Sequence, residues 1–234
     1  MATDSELSSW SARRSRAYRR LGNAVQRIGK RIVNLQSISA IWIDVGAHLG
    51  EKTFAHAHDN PSLTVFAFEP TWELARQVMG RLSNFVVFPM AVSAKDGLAD
   101  FYLNAQDDTS SLLPFDPEGV RRWDGGQFLR PKSKICVPTI RLDTFMNAMD
   151  LRTVDYLKID TQGSDLAVVQ SAGSRLRDVR KVTLEVDVTP VRAYQGSAGQ
   201  AETLAYMQEQ GFQLTEVESQ TRGQEENLTF VRID

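Results

Sequence analysis

Two hydrophobic periods succeed one another along this chain. Between residues 11 and 35, Tyr18, Leu21, Val25, Ile28, Ile32 and Leu35 recur at spacings of three and four, the repeat of one helix face, although Gly22 and Gly29 weaken it. From Ile41 onward the apolar residues gather instead into short runs, at 41–45, 63–68, 85–92, 98–103, 136–140, 154–159, 179–186, 212–217 and 228–233. Runs this short, rich in Val, Ile and Phe, read as strands. Helical stretches lie between several of them: from about Gly50 to His58, over 71–82, from near Asp143, over 164–176 and over 200–210. Strand and helix in alternation imply a parallel sheet joined by right-handed crossovers. The last two runs flank a polar turn and read as a closing antiparallel pair. The expected fold is α/β and doubly wound, with about seven strands and helices on both faces.

One stretch interrupts the alternation. Residues 107–134 contain Pro114, Pro117, Gly119, Gly125, Gly126 and Pro131, too many breakers for a regular element and too long for a structureless connection. Such insertions are usually lids or binding loops, and Phe115, Trp123 and Phe128 could wall an acceptor pocket or anchor the loop to the body. Charge divides the chain elsewhere. Residues 7–40 hold eight Lys or Arg and no Asp or Glu, whereas the remainder from Ile41 carries 19 basic against 27 acidic residues. Residues 1–40 are therefore expected as a basic amphipathic helical extension, and 41–234 as one domain. The extension could meet an anionic membrane surface, nucleic acid or an acidic partner. Alternatively its arginines form a solvated face while the apolar stripe docks on the body or on a second subunit, giving a homo-oligomer.

Composition excludes several classes. With 234 residues, 42% of them hydrophobic and 24% charged, the chain can bury a core without disulfides or metals. The single Cys136 rules out a disulfide framework and a cysteine zinc site, and points to a reducing compartment. No apolar run reaches the roughly 18 residues of a membrane span, and no secretory h-region is present, so the cytoplasm is expected. The acidic balance of the body gives no general nucleic-acid footprint.

The stretch from Ile41 to Gly50, IWIDVGAHLG, draws the ligand reading to one place. A buried strand there ends in a tight loop, Gly46 and Gly50 let the backbone come close to a bound molecule, and the next helix aims its N-terminus at the same point. Glu69 lies 19 residues after Gly50, at the end of the second strand. A doubly wound sheet offers a carboxylate there to the two ribose hydroxyls of an adenosine ligand; the same residue could instead cap the following helix. GAHLGEKT at 46–53 falls short of a phosphate-binding P-loop. Its glycines are separated by three residues rather than four, and Glu51 stands where that loop needs glycine.

Six motifs occur in one order: DVGAHLG at 44–50, FEP at 68–70, AVS at 91–93, SSL at 110–112, RLDTF at 141–145 and DYLKIDTQG at 155–163. Together they resemble the FkbM family of S-adenosylmethionine-dependent methyltransferases over roughly residues 40 to 234. The resemblance implies a class I, Rossmann-like methyltransferase fold with an antiparallel last strand, and O-methylation of a sugar or other natural-product hydroxyl. It implies that Asp44, Gly46, Ala47, His48 and Gly50 form the S-adenosylmethionine loop, with Thr53 beside it. Glu69 and Pro70 would lie at the ribose, the Ala91 and Val92 backbone beside the adenine, and Asp160, Gln162 and Gly163 toward the methyl group. The family often carries Glu-Gly-x-Glu after that aspartate, whereas this chain has Gln162-Gly163-Ser164-Asp165, which removes a carboxylate from position 162.

A hydroxyl acceptor must lose its proton, so a positioned base is needed. Asp160 and Glu185 are the expected catalytic carboxylates, at the ends of neighbouring strands by the switch point of the sheet; capping a strand end is the alternative for Glu185 and Asp187. Asp187, Ser110 and Ser111 are expected toward the small-molecule or glycan acceptor, although the serines could merely cap the loop. No metal is expected, but the carboxylates leave Mg²⁺ open. His48 reads as orienting the loop backbone rather than as a base, and His56 and His58 diverge on their helix. The expected function is O-methylation of a sugar, glycan precursor or secondary metabolite. The alternatives are a Rossmann-type NAD-binding oxidoreductase, against which the missing third glycine counts, and a non-catalytic adapter recruited through the basic helix.

Overall fold

The computed structural model describes residues 39–233, so the helix expected in the basic N-terminal segment lies outside the described residues. In chain order the strands are β1 (Ala40–Val45), β2 (Leu63–Phe68), β3 (Phe85–Phe88), β4 (Ala91–Val92), β5 (Gly97–Asn104), β6 (Pro131–Ile140), β7 (Tyr156–Ile159), β8 (Lys181–Asp187), β9 (Phe212–Gln220) and β10 (Glu225–Arg232). Seven of them form one sheet in the order β3-β2-β1-β7-β8-β10-β9. Every pairing from β3 to β8 is parallel, and β10 runs antiparallel to both β8 and β9. This is the doubly wound sheet that the alternation implies, and its strand order reverses direction from the centre between β1 and β7. A crevice opens there at the carboxyl ends of the strands.

The sequence of β2 shows why the sheet is covered on both sides. All six residues are buried. Phe66 and Phe68 enter one core layer, while Leu63, Val65 and Ala67 enter the other, as the two-residue period of a strand requires. Into the first layer α4 (Leu142–Ala148) sends Phe145, whose ring lies edge-on to Phe68, Phe88 and Phe66 at 4.8, 5.2 and 5.5 Å. Losing that ring to alanine would cost about 3–5 kcal/mol. The second layer is closed by Ala57 of α1 (Phe54–Asp59) and by Ala75 and Val78 of α2 (Trp72–Val78).

Three expectations need correction. The run 85–92 is not one strand: Pro89 interrupts it, and β4 leaves for a second sheet of order β4-β6-β5. The segment 136–140 belongs to that small sheet as the end of β6, not to the large one. The first helix starts at Phe54 rather than near Gly50, because the loop is completed by a turn in which the amides of Thr53 and Phe54 reach the Gly50 carbonyl at 3.1 and 2.8 Å.

The insertion is more ordered than its composition suggests. Asp116 accepts from the amides of Glu118 and Gly119 and so caps α3 (Pro117–Arg122), which carries proline at its first position, where no amide is needed. The polar end of the insertion is latched to the turn between β9 and β10. There Arg222 meets both oxygens of Asp124 at 2.9 and 3.0 Å, and Gln224 brackets the Asp124 backbone.

Candidate active site

The crevice at the carboxyl ends of β1, β2, β7 and β8, roofed by the insertion, encloses a cavity of about 590 Å³. That is the size range of small-molecule sites. Its floor forms where β1 and β7 end side by side, with the Asp160 amide bonded to the Val45 carbonyl at 3.0 Å. Gly46 adopts φ +73°, and a Cβ there would overlap the Asp160 carbonyl oxygen, so only glycine allows the two strand ends to meet. His48, at φ 49°, also takes the left-handed conformation that is uncommon outside glycine.

Glu69 anchors this side. Its two oxygens accept the amides of His48 at 3.0 Å and Thr71 at 2.7 Å, which ties the glycine loop to the end of β2. Burial pushes its carboxyl upward, opposed by those amide bonds. Each oxygen keeps a further lone pair, so the group can also accept from a ligand diol. His48 Nδ1 lies 2.8 Å from Glu51, and its Nε2 is 3.3 Å from Asp107 in the insertion. Burial lowers the ring's proton affinity, but Glu51 and Asp107 raise it more, and the net direction is up. A ring held between two acids clasps the loop to the insertion, and it is a poor base.

Across the cavity the side chains are joined in a chain. Gln162 takes a left-handed conformation, φ 57°. Its amide nitrogen donates to Asp160 at 2.9 Å and to Glu185 at 3.1 Å, while its carbonyl oxygen accepts from the Tyr194 hydroxyl at 2.9 Å. Tyr194 also lies 2.8 Å from the Thr109 carbonyl in the insertion. Burial, then the charges of Asp160 and Glu225, push the Glu185 carboxyl well above the usual range. Behind Asp160, burial and the Asp160 charge raise Asp165 to about 7. The amide thus bridges two carboxylates of unlike environment, one open to the cavity and one strongly desolvated.

Gly46, Ala47, His48, Glu69, Pro70, Ala91, Val92, Ser110, Asp160, Gln162 and Glu185 all line this cavity. Six other expected site residues do not, among them Gly163, whose backbone packs against Tyr194 and Ser197. Asp44 is fully buried beneath the loop, where Thr53, equally buried, donates to it at 2.5 Å. Gly50 turns under the loop against Phe54 and Phe85. Ser111 is fully buried and donates to the Gln162 carbonyl at 2.7 Å, pinning the insertion to the end of β7 instead of facing an acceptor. Asp187 points behind the site, bonded to Ser197 at 2.8 Å and 3.6 Å from Arg192. Of the insertion's aromatics, Trp123 and Phe128 line the cavity, while Phe115 packs at a tilt against Tyr194, ring centroids 5.1 Å apart, outside it.

Sequence reasoning missed Lys158, Tyr194 and Glu225, which also line the cavity. Only Lys158 left a signal, as a cation inside an apolar strand. Among the described residues, no group of three His, Cys, Asp or Glu side chains is placed to hold a metal ion, so the Mg²⁺ option finds no support there.

Strand order, glycine loop and acidic strand ends are those of the class I, Rossmann-like methyltransferase fold. The profile of the family described as Methyltransferase FkbM domain matches residues 44–214. The chain belongs to the FkbM methyltransferase family, which removes the NAD-dependent alternative. Among curated proteins it is 26% identical over 168 residues to 2-O-methyltransferase NoeI of Sinorhizobium fredii (strain NBRC 101917 / NGR234), covering 68% of each chain. Among solved structures it is similar to magnesium protoporphyrin IX methyltransferase (ChlM) from Synechocystis PCC 6803 with bound SAM, at 12% identity and TM-score 0.45, covering 91% of this chain and 79% of that one. It is also similar to a SAM dependent methyltransferase from Aquifex aeolicus, at 9% identity and TM-score 0.40, covering 89% of both chains. No described helix is long and apolar enough to cross a membrane.

Proposed function

We propose that this protein transfers the methyl group of S-adenosylmethionine to a hydroxyl of a sugar, glycan precursor or secondary metabolite. The observation that carries the reading is the Gln162 bridge, which sets Asp160 and Glu185 together across one cavity from Glu69 and the glycine loop. The name of the relative NoeI, a 2-O-methyltransferase, supports oxygen as the accepting atom.

S-adenosylmethionine supplies an electrophilic methyl on a sulfonium. Glu69 would accept the ribose hydroxyls, and the backbone of Ala91 and Val92 would border the adenine. The Gly46–Ala47 turn would border the methionine part. The protein's own task is alignment and exclusion of water, since the displacement disperses charge rather than creating it. The Gln162 amide orients both carboxylates, and Glu185, whose proton affinity is raised by burial and by the charge of Asp160, is placed to take the acceptor's hydroxyl proton once ionised. Trp123 and Phe128 offer apolar surface to the acceptor's body.

The test has two arms. Calorimetry should show binding of S-adenosylmethionine and of its demethylated product, and no binding of either would refute the reading. Tritiated methyl from labelled S-adenosylmethionine should appear in an ether linkage on a glycan or metabolite fraction, with and without EDTA. Label found only in ester or amine products would refute transfer to a hydroxyl.

A further inference from the structure

Lys158 occupies a place where a buried strand ordinarily carries an apolar residue, between Leu157 and Ile159, and it is 8% exposed. Its ammonium donates to the Gly46 carbonyl at 2.8 Å, pairs with Asp44 at 3.1 Å and approaches Asp160 at 3.7 Å. Burial works against the charge, yet Asp44 and Asp160 outweigh it, so the lysine stays protonated. A buried cation is retained only where partners compensate its desolvation, and Asp44 alone would be the minimum partner. The contacts to Gly46 and Asp160 go beyond that minimum. One belongs to the loop on the cofactor side, the other to the carboxylate on the acceptor side.

We propose that Lys158 is a positioning residue that holds the Gly46 turn and the Asp160 carboxylate in one fixed relation, so that one ammonium aligns methyl donor and acceptor. The inference rests on the function proposed above. Its chemical reason is that methyl transfer depends on near-attack geometry, where displacement by about 1 Å costs on the order of a hundredfold in rate. Lys158 reaches both sides because β7 lies next to β1 at the switch point, two residues before Asp160.

S-adenosylmethionine itself is the probe, measured by calorimetry. Lys158→Met alone leaves Asp44 as an unpaired buried carboxylate and can fail to fold, so the cycle is run in an Asp44→Asn background with a thermal melt on every variant. In that background Lys158→Met should weaken S-adenosylmethionine binding by about tenfold or more, the equivalent of about 1.4 kcal/mol. Asp160→Asn should weaken it less, and adding it to Lys158→Met should change nothing further, because the tie between the two is already cut. Lys158→Arg, which keeps the charge, should recover part of the affinity. Unchanged affinity in a folded Lys158→Met chain overturns the inference, and so do effects at 158 and 160 that multiply independently. An unaltered chain that binds no S-adenosylmethionine overturns the proposed function as well, so the two failures are told apart by the first titration.

Discussion

Asp165 offers the sharpest test of the electrostatics behind the site. It opens α5 (Asp165–Gln170), is 3% exposed, and accepts from the Thr161 amide at 3.3 Å and the Thr161 hydroxyl at 3.1 Å. Burial, followed by the charge of Asp160, nevertheless raises its carboxyl from 3.8 to about 7. Because the folded-state value is raised, the native chain keeps a proton that the unfolded chain has lost. The stabilising contribution is full below about pH 4 and disappears as pH rises through about 7. Asp165→Asn keeps the shape and deletes this equilibrium. At 1.36 kcal/mol per unit, the shift makes ionisation of Asp165 cost the unaltered chain roughly 4 kcal/mol at about pH 8 but under about 2 kcal/mol near pH 5. The stability of Asp165→Asn relative to the unaltered chain should therefore rise by about 2–3 kcal/mol between those two pH values. Urea denaturation at both pH values measures it. A difference independent of pH would refute the reasoning.

Three further outcomes follow from named contacts. Gly46→Ala places a Cβ against the Asp160 carbonyl at φ +73°, and thermal melts should show a loss of about 1–3 kcal/mol with S-adenosylmethionine binding abolished in calorimetry. Glu69→Gln cannot accept both amides of His48 and Thr71, so stability should fall by about 1 kcal/mol and S-adenosylmethionine affinity by about tenfold. Tyr194→Phe removes the hydroxyl bonded to Gln162 and Thr109; turnover should drop while S-adenosylmethionine affinity stays within about twofold, at a stability cost of about 1–2 kcal/mol. Equal loss of affinity and turnover in that variant would mean that Tyr194 supports the cofactor side instead.

The sheet was legible because strand signals are local. Leu63 to Phe68 announces a strand buried on both faces by its own residues, and the glycines at 46 and 50 mark where its neighbour must turn. The run from Phe85 to Val92 misled because apolar continuity hid Pro89, where the chain changes sheets. Within the site, Glu69 was readable from its distance to the glycine loop. Ser111 and Asp187, expected toward the acceptor, lie away from the cavity, because the direction of a side chain beyond a strand end depends on what packs against it. Here those partners are the Gln162 carbonyl and Ser197.

Sequence by itself determined the family, the order of the parallel strands' supporting motifs, and the acids at their carboxyl ends. Each of these depends on residues a few positions apart, where periodicity and turn chemistry act directly. Only the tertiary structure decided that Gln162 bridges Asp160 and Glu185, that Tyr194 and Thr109 fix that amide, and that Lys158 reaches from Gly46 to Asp160. Those partners are separated by as many as 112 residues in the chain. They meet because β1, β7 and β8 lie side by side and the insertion folds over their ends, a juxtaposition set by the packing of the whole sheet rather than by any local pattern.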